Sequence, residues 1–284
     1  MAIDEHNPSA SSVAQDRLCA RVASKTDVGL KREHNEDSHL ILPLNGASAP
    51  PSERTSILSI REPGLLLAVA DGIGGHQGGE VASSKCVEFL TREIATALQA
   101  LRSAHADPAA VLRQAVVATH QAVHSFAQEY SKHQSMGTTL TAALVCGAHV
   151  DLAQVGDSRA YLFRKGNLIL LTEDQTIGNQ FRSRGADPSL LSEQIQEYLT
   201  QAVGAQHDIK VVMTAVDLEP QDLLLICCDG LYKVLSPEEL VEILEMRIQP
   251  AEKASRLIGR TNEKGGPDNI TVILAEICQI ADGS

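Results

Sequence analysis

Two segments of this chain share one pattern, an unbroken apolar run that stops at Asp-Gly. Leu65 to Ala70 runs into Asp71-Gly72, and Leu223 to Cys228 runs into Asp229-Gly230. A short apolar run bounded by a turn signal reads as a strand buried on both faces. Further strand-like runs lie at Leu18 to Lys25, Ser38 to Leu42, Thr138 to Cys146, Val150 to Val155, Ala160 to Arg164, Leu168 to Thr172, Ile209 to Val216 and Ile270 to Cys278. Links as short as Gly147-Ala148-His149 and Lys165-Gly166-Asn167 join several of them, which only antiparallel neighbours allow. Helical periodicity marks Glu80 to Ser103, Pro108 to Tyr130, Pro237 to Arg247 and Ala251 to Asn262, the third behind the capping-box pair Ser236 and Glu239. The pattern predicts an α+β fold, a four-layer sandwich of two antiparallel β-sheets flanked by pairs of α-helices.

Two stretches fall outside that frame. Residues 45–64 are rich in Pro, Ser and Gly and read as a surface insertion. Residues 176–205 carry weak helical signals and no strand, and are expected to form a flap facing the substrate. The expected organisation is a disordered polar tail over 1–17, a single domain over 18–278 and a short C-terminal tail over 279–284.

Composition narrows the function classes. The 284 residues are 43% hydrophobic and carry a net charge of -12, which argues against nucleic acid and against anionic membrane surfaces. The first residues lack an apolar leader segment, and no apolar stretch reaches the ~18 residues that span a bilayer. The expectation is a cytoplasmic monomer. Six cysteines, Cys19, Cys86, Cys146, Cys227, Cys228 and Cys278, show no zinc spacing and read as reduced core residues.

The acids add chemistry. Asp37 and Asp268 each precede a strand-like run, while Asp71, Asp157 and Asp229 each follow one. Aspartate is a common turn residue, so any one of these positions is ambiguous. Five together, each at the end of a rigid element, point to a hard metal ion.

Thr26-Asp27-Val28-Gly29-Leu30-Lys31-Arg32-Glu33-His34-Asn35-Glu36-Asp37, Asp71-Gly72-Ile73-Gly74-Gly75-His76, Met136-Gly137-Thr138-Thr139, Val155-Gly156-Asp157-Ser158-Arg159, Cys228-Asp229-Gly230-Leu231 and Gly266-Pro267-Asp268-Asn269 follow one another in order. This series resembles the metal-dependent type 2C protein serine/threonine phosphatases, and the form of its second motif resembles their bacterial branch. The resemblance implies hydrolysis of phosphoserine and phosphothreonine in proteins, opposing Ser/Thr kinases, by direct attack of a water activated between two metal ions. It implies Mn²⁺ or Mg²⁺ as cofactor, two ions bound tightly and a third more weakly. Asp37, Asp71, the Gly72 carbonyl, Asp229 and Asp268 would hold the pair, Asp71 bridging and Glu36 acting through water. Asp157 would help bind the third ion. Arg32 would grip the phosphate with its planar fork, and His76 would either protonate the departing oxygen or anchor its glycine-rich loop.

Rival signals are weaker. Cys86 and Arg92 have the Cys-x5-Arg spacing of cysteine-based phosphatases, but the residues between them continue a helix and cannot converge N–H groups on a phosphate. The turn Gly72 to Gly78 could be a dinucleotide loop, yet Gln77 replaces its third glycine and Asp71 would repel a pyrophosphate. His120 and His124 share a helix face without a zincin glutamate. A phosphoprotein-binding relic of the same fold would have lost ligands, and none is missing. Two departures from the family pattern concern the substrate side: Gln175 follows Asp174 where a histidine is common, and the end of the flap lacks a basic residue.

Overall fold

The computed structural model describes residues 18–74, 77–101, 107–129 and 136–279. The strands are β1 (Leu18–Asp27), β2 (Asp37–Pro43), β3 (Ser56–Ser59), β4 (Leu65–Ile73), β5 (Gly137–Thr138), β6 (Leu140–Cys146), β7 (His149–Val155), β8 (Arg159–Arg164), β9 (Asn167–Leu170), β10 (Val212–Asp217), β11 (Leu223–Cys227) and β12 (Ile270–Gln279). The helices are α1 (Gln77–Leu101), α2 (Pro108–Glu129), α3 (Ile177–Ser183), α4 (Glu193–Glu197), α5 (Asp229–Tyr232), α6 (Pro237–Leu244) and α7 (Pro250–Glu263), with a 3₁₀ turn at Pro188–Leu190.

One sheet runs β3-β1-β12-β11-β8-β9, the other β10-β7-β6-β4-β2 with β5 on the end of β4. Each pairing in both sheets is antiparallel. The expected sandwich is the observed one. Strand alternation explains why the central runs are wholly apolar. In β4, Leu65, Leu67 and Val69 face the layer between the sheets, whereas Leu66, Ala68 and Ala70 face α1 and α2. In β11, Leu224 and Ile226 face the middle layer, and Leu223, Leu225 and Cys227 face α6 and α7. Three apolar layers therefore stack through the molecule, each closed by an amphipathic face. Helix α6 begins with the anticipated capping box: the Ser236 side chain accepts from the Glu239 N–H, and the Glu239 carboxylate accepts from the Ser236 N–H.

Three expectations need amendment. The 45–64 insertion contains β3, which pairs with the edge of β1. The last strand reaches Gln279. Cys19 and Cys278 are not reduced but joined in a disulfide, because the antiparallel register sets them opposite each other with Cα atoms 5.1 Å apart. Cys86, Cys146, Cys227 and Cys228 are free. The expected tail over 1–17, and residues 280–284 of the C-terminal tail, lie outside the described residues. Among the described residues, no helix is long and apolar enough to cross a membrane.

Candidate metal centre

The β2–β4 register sets Asp37 directly across from Asp71 at the lip of the sheet. Such cross-strand neighbours have side chains in contact range. The Asp71 backbone is fixed on both sides: its N–H donates to Thr139 Oγ1 at 3.0 Å, and its carbonyl accepts from the Thr139 N–H at 2.8 Å. Gly72 follows because a Cβ there would strike the carbonyls of Gly79 and Glu36. Its N–H donates to the Glu36 carbonyl at 3.1 Å, to which Ser83 Oγ also donates at 2.6 Å. Glycine thus lets the end of β4, the start of α1 and the Glu36 segment converge.

The other sheet contributes Asp229, first residue of α5, and Asp268, just before β12. The 28–36 loop is pinned to this side by the Leu30 N–H, which donates to the Gly266 carbonyl at 2.8 Å, and by one side-chain amide. Asn269 Nδ2 donates to the Val28 carbonyl at 2.9 Å and the His34 carbonyl at 3.0 Å, and Oδ1 accepts from the Glu36 N–H at 2.8 Å. Sequence reading quoted Asn269 only as part of a motif; the structure makes it the organiser of the loop that carries Arg32 and Glu36. Arg32 Nη2 donates to Asp268 Oδ2 at 2.8 Å. Asp157, 5% exposed, sits in the link from β7 to β8, where Gly156 takes φ +98° against the Thr139 side chain.

Asp37, Asp71 and Cys228 each place a ligand atom within 4.8 Å of the others. Both carboxylate oxygens of Asp37 are buried and have no hydrogen-bond partner among the described residues. Burial pushes the Asp37 carboxyl up, the nearby Thr271 and Cys228 side chains draw it part of the way down, and the charges of Asp229 and Asp268 push it up again. Burial raises Asp71 too, with Asp37, Asp229 and Asp157 adding to it. Asp157 is raised by burial and Asp229, against the pull of Lys233. Buried carboxylates of this density ionise together only beside a cation. Burial holds Cys228 well above the ordinary thiol range, so it remains S–H, donating to the Asn269 carbonyl at 3.4 Å. Sequence reading placed this thiol in the core without seeing that it floors the cluster. The remaining donors are hard oxygens, a set that fits Mg²⁺ or Mn²⁺.

Outside the acids stands a polar rim. Arg159 grips Asp174 through Nε at 2.9 Å and Nη2 at 2.6 Å, with its guanidinium carbon 3.7 Å from the Tyr232 ring centre. Tyr232 Oη donates to the Asp157 carbonyl at 3.1 Å. Gln175, the departure noted in the sequence, clamps the base of the flap. Its Oε1 accepts from the Gly156 N–H at 2.6 Å, and its Nε2 donates to the Lys210 carbonyl at 2.8 Å. His76 lies outside the described residues.

The rivals lose their geometry. Cys86 is buried inside α1, and burial pushes its thiol up to about 12, far from a nucleophilic thiolate. β4 runs antiparallel to both β2 and β6, so the glycine turn after it belongs to no βαβ unit. His120 and His124 clasp the 204–207 loop, through the Gly204 N–H donating to His120 Nδ1 at 3.1 Å and a 3.0 Å bond between His124 Nδ1 and the Gly204 carbonyl.

Comparison with known proteins bears on the fold and the family. Residues 55–262 match the family model described as protein phosphatase 2C. The serine/threonine phosphatase stp of Listeria welshimeri is 31% identical over 254 residues, covering 89% of this chain and 94% of that protein. The crystal structure of the Mycobacterium tuberculosis serine/threonine phosphatase PstP/Ppp superposes with a TM-score of 0.72 at 33% identity, covering 92% of this chain and all of that one. The catalytic domain of PstP in complex with two manganese ions gives a TM-score of 0.70 at the same identity, with 92% and 100% covered.

Proposed function

The chain belongs to the protein phosphatase 2C family, and from that premise we propose that it is a metal-dependent phosphatase hydrolysing phosphoserine and phosphothreonine in proteins. The observation that carries the reading is Asp37, whose carboxylate oxygens are buried and take no hydrogen bond among the described residues, facing Asp71. Asp37, Asp71, the Gly72 carbonyl, Asp229 and Asp268 are the residues we assign to a pair of divalent ions, with Glu36 beside them. Bound there, Mn²⁺ or Mg²⁺ supplies charge neutralisation and activation of water for in-line displacement at phosphorus.

The chain's own groups do the rest. Arg32 rests on Asp268 in the structure and is half exposed. Its planar fork can therefore turn to donate to two phosphate oxygens while one N–H stays with the carboxylate. Asn269 fixes the loop beneath it, so the guanidinium starts near its working position. Burial keeps the Asp37 carboxylate oxygens from bulk water. His76 is our assignment for the proton that the departing serine or threonine oxygen needs. The counterpart enzyme is a Ser/Thr kinase, and the working unit we propose is a cytoplasmic monomer.

The test is direct. Protein stripped by chelator should hydrolyse p-nitrophenyl phosphate and a phosphothreonine peptide only after Mn²⁺ or Mg²⁺ is restored. Full turnover in chelator, or turnover abolished by Cys86→Ser, would sink the reading.

A further inference from the structure

The outer edge of the cluster already holds a cation. Lys233 caps the C-terminal end of α5, its N–H donating to the Asp229 carbonyl at 3.0 Å. Its Nζ lies 2.8 Å from Asp229 Oδ2 and 3.4 Å from Glu197 Oε2 of the flap. Asp157 feels the same charge, for Lys233 is the cation that favours its ionised form. The other acid on this side, Asp174, is held at two points by Arg159. These groups border a cavity of about 320 Å³ whose lining includes Asp157, Asp174, Glu197, Arg159, Tyr232 and Lys233. Asp174 and Glu197 on that cavity are thus each paired with a cation of the chain.

A third divalent ion beside Asp157 would have to share this space with the Lys233 ammonium, which already sits on Asp229 Oδ2. An ammonium and a divalent ion crowded against the same few carboxylates repel each other, and the ammonium is the one the chain supplies. Lys233 Nζ is also 3.4 Å from Glu197 Oε2, a second carboxylate that favours this position. We propose that the Lys233 ammonium is the built-in cation of the outer site, standing where a third ion would bind, so that this chain takes up a pair of divalent ions and no more. The same ammonium ties the flap to Asp229, so the charge that completes the site also sets where the flap lies. The inference rests on the assignment of the pair to Asp37, Asp71, Asp229 and Asp268.

Calorimetric titration of the chelator-stripped full chain with Mn²⁺ tests it. The unmutated protein should bind two ions. Lys233→Ala should bind three, the added one weaker, and Lys233→Arg should return to two because the cation is restored. Lys233→Ala combined with Asp157→Ala should also bind two, which assigns the added ion to the outer site and, by retaining the pair, shows that the variant is folded. Three ions on the unmutated protein, the weakest lost on Asp157→Ala, would overturn the proposal while leaving the pair intact. A count that stays at two in Lys233→Ala would also overturn it. No tight binding by the unmutated protein would overturn the assignment of the pair itself.

Discussion

Asp37 is a carboxylate that the fold buries and then leaves unanswered by any hydrogen bond among the described residues. Without ions its charge is opposed by burial and by Asp229 and Asp268. Replacing it with a neutral isostere removes both penalties, since an unpaired buried charge costs more than a buried amide. Asp37→Asn in chelator should therefore melt above the unmutated protein. Adding Mn²⁺ should reverse the order: an ion at a hundredfold excess over its dissociation constant stabilises the fold that binds it by about 2.7 kcal/mol, and the variant forfeits most of that gain. Scanning calorimetry with and without Mn²⁺ reads both effects. A variant less stable than its parent in chelator would show that Asp37 serves packing instead.

The elements that hold these residues differ in how openly the sequence announces them. Strands β4 and β11 are plain in it because both of their faces are buried, so no polar residue interrupts the run. The four long helices are equally plain, each having one apolar face. β3 is not: it has four residues, lies at a sheet edge with Ile57 exposed, and sits in a Pro- and Ser-rich stretch that signals a loop. The flap helices α3 and α4 are short, and no residue of α4 is buried, so periodicity had little to register. At the site, the five aspartates were legible from their places at strand ends. Asn269, Lys233 and Cys228 were not, because their roles arise from neighbours distant in sequence or from a helix cap. The flap itself is tethered by Asn179, which donates to the Asp174 carbonyl at 2.9 Å, and by the Lys233 contact to Glu197. Those tethers join residues 176–197 to the rim, whereas Val203 at the far end pairs with Thr138, whose hydroxyl donates to the Asp71 carbonyl. Exchanging residues 176–197 alone for those of a related phosphatase should therefore shift kcat/KM for a phosphoprotein by roughly tenfold, about 1.4 kcal/mol. Hydrolysis of p-nitrophenyl phosphate should stay nearly constant. Equal losses on both substrates would mean that the segment supports the catalytic core.

At the scale of the whole molecule, the Cys19–Cys278 bridge links the first described strand to the last and closes a loop of nearly the entire chain, 259 residues apart in sequence. No spacing rule could have paired these cysteines, because only the β1–β12 register brings them together. In the chain-entropy account, so long a loop stabilises the fold by up to on the order of 5 kcal/mol. Cys278→Ser should lower the denaturant midpoint under oxidising conditions and leave it unchanged in excess reductant. An equal drop in both conditions would assign the effect to packing.

The acids also divide between the sheets. Asp37 and Asp71 come from one, Asp229 and Asp268 from the other, and Asp157 from the link that crosses between them. Between the lips that carry them runs a dry middle layer, which pulls the sheets together along its length. At the acidic lip, like charges push the other way. Emptied of ions, the sandwich is thus a pair of jaws hinged on its own grease and pried at one end; filled, the same charges become rivets. Divalent ions then act on the protein as a mechanical load acts on a joint, and the ends of β4 and β11, which bear the chemistry, are also where the molecule first feels how much of the ion its surroundings hold.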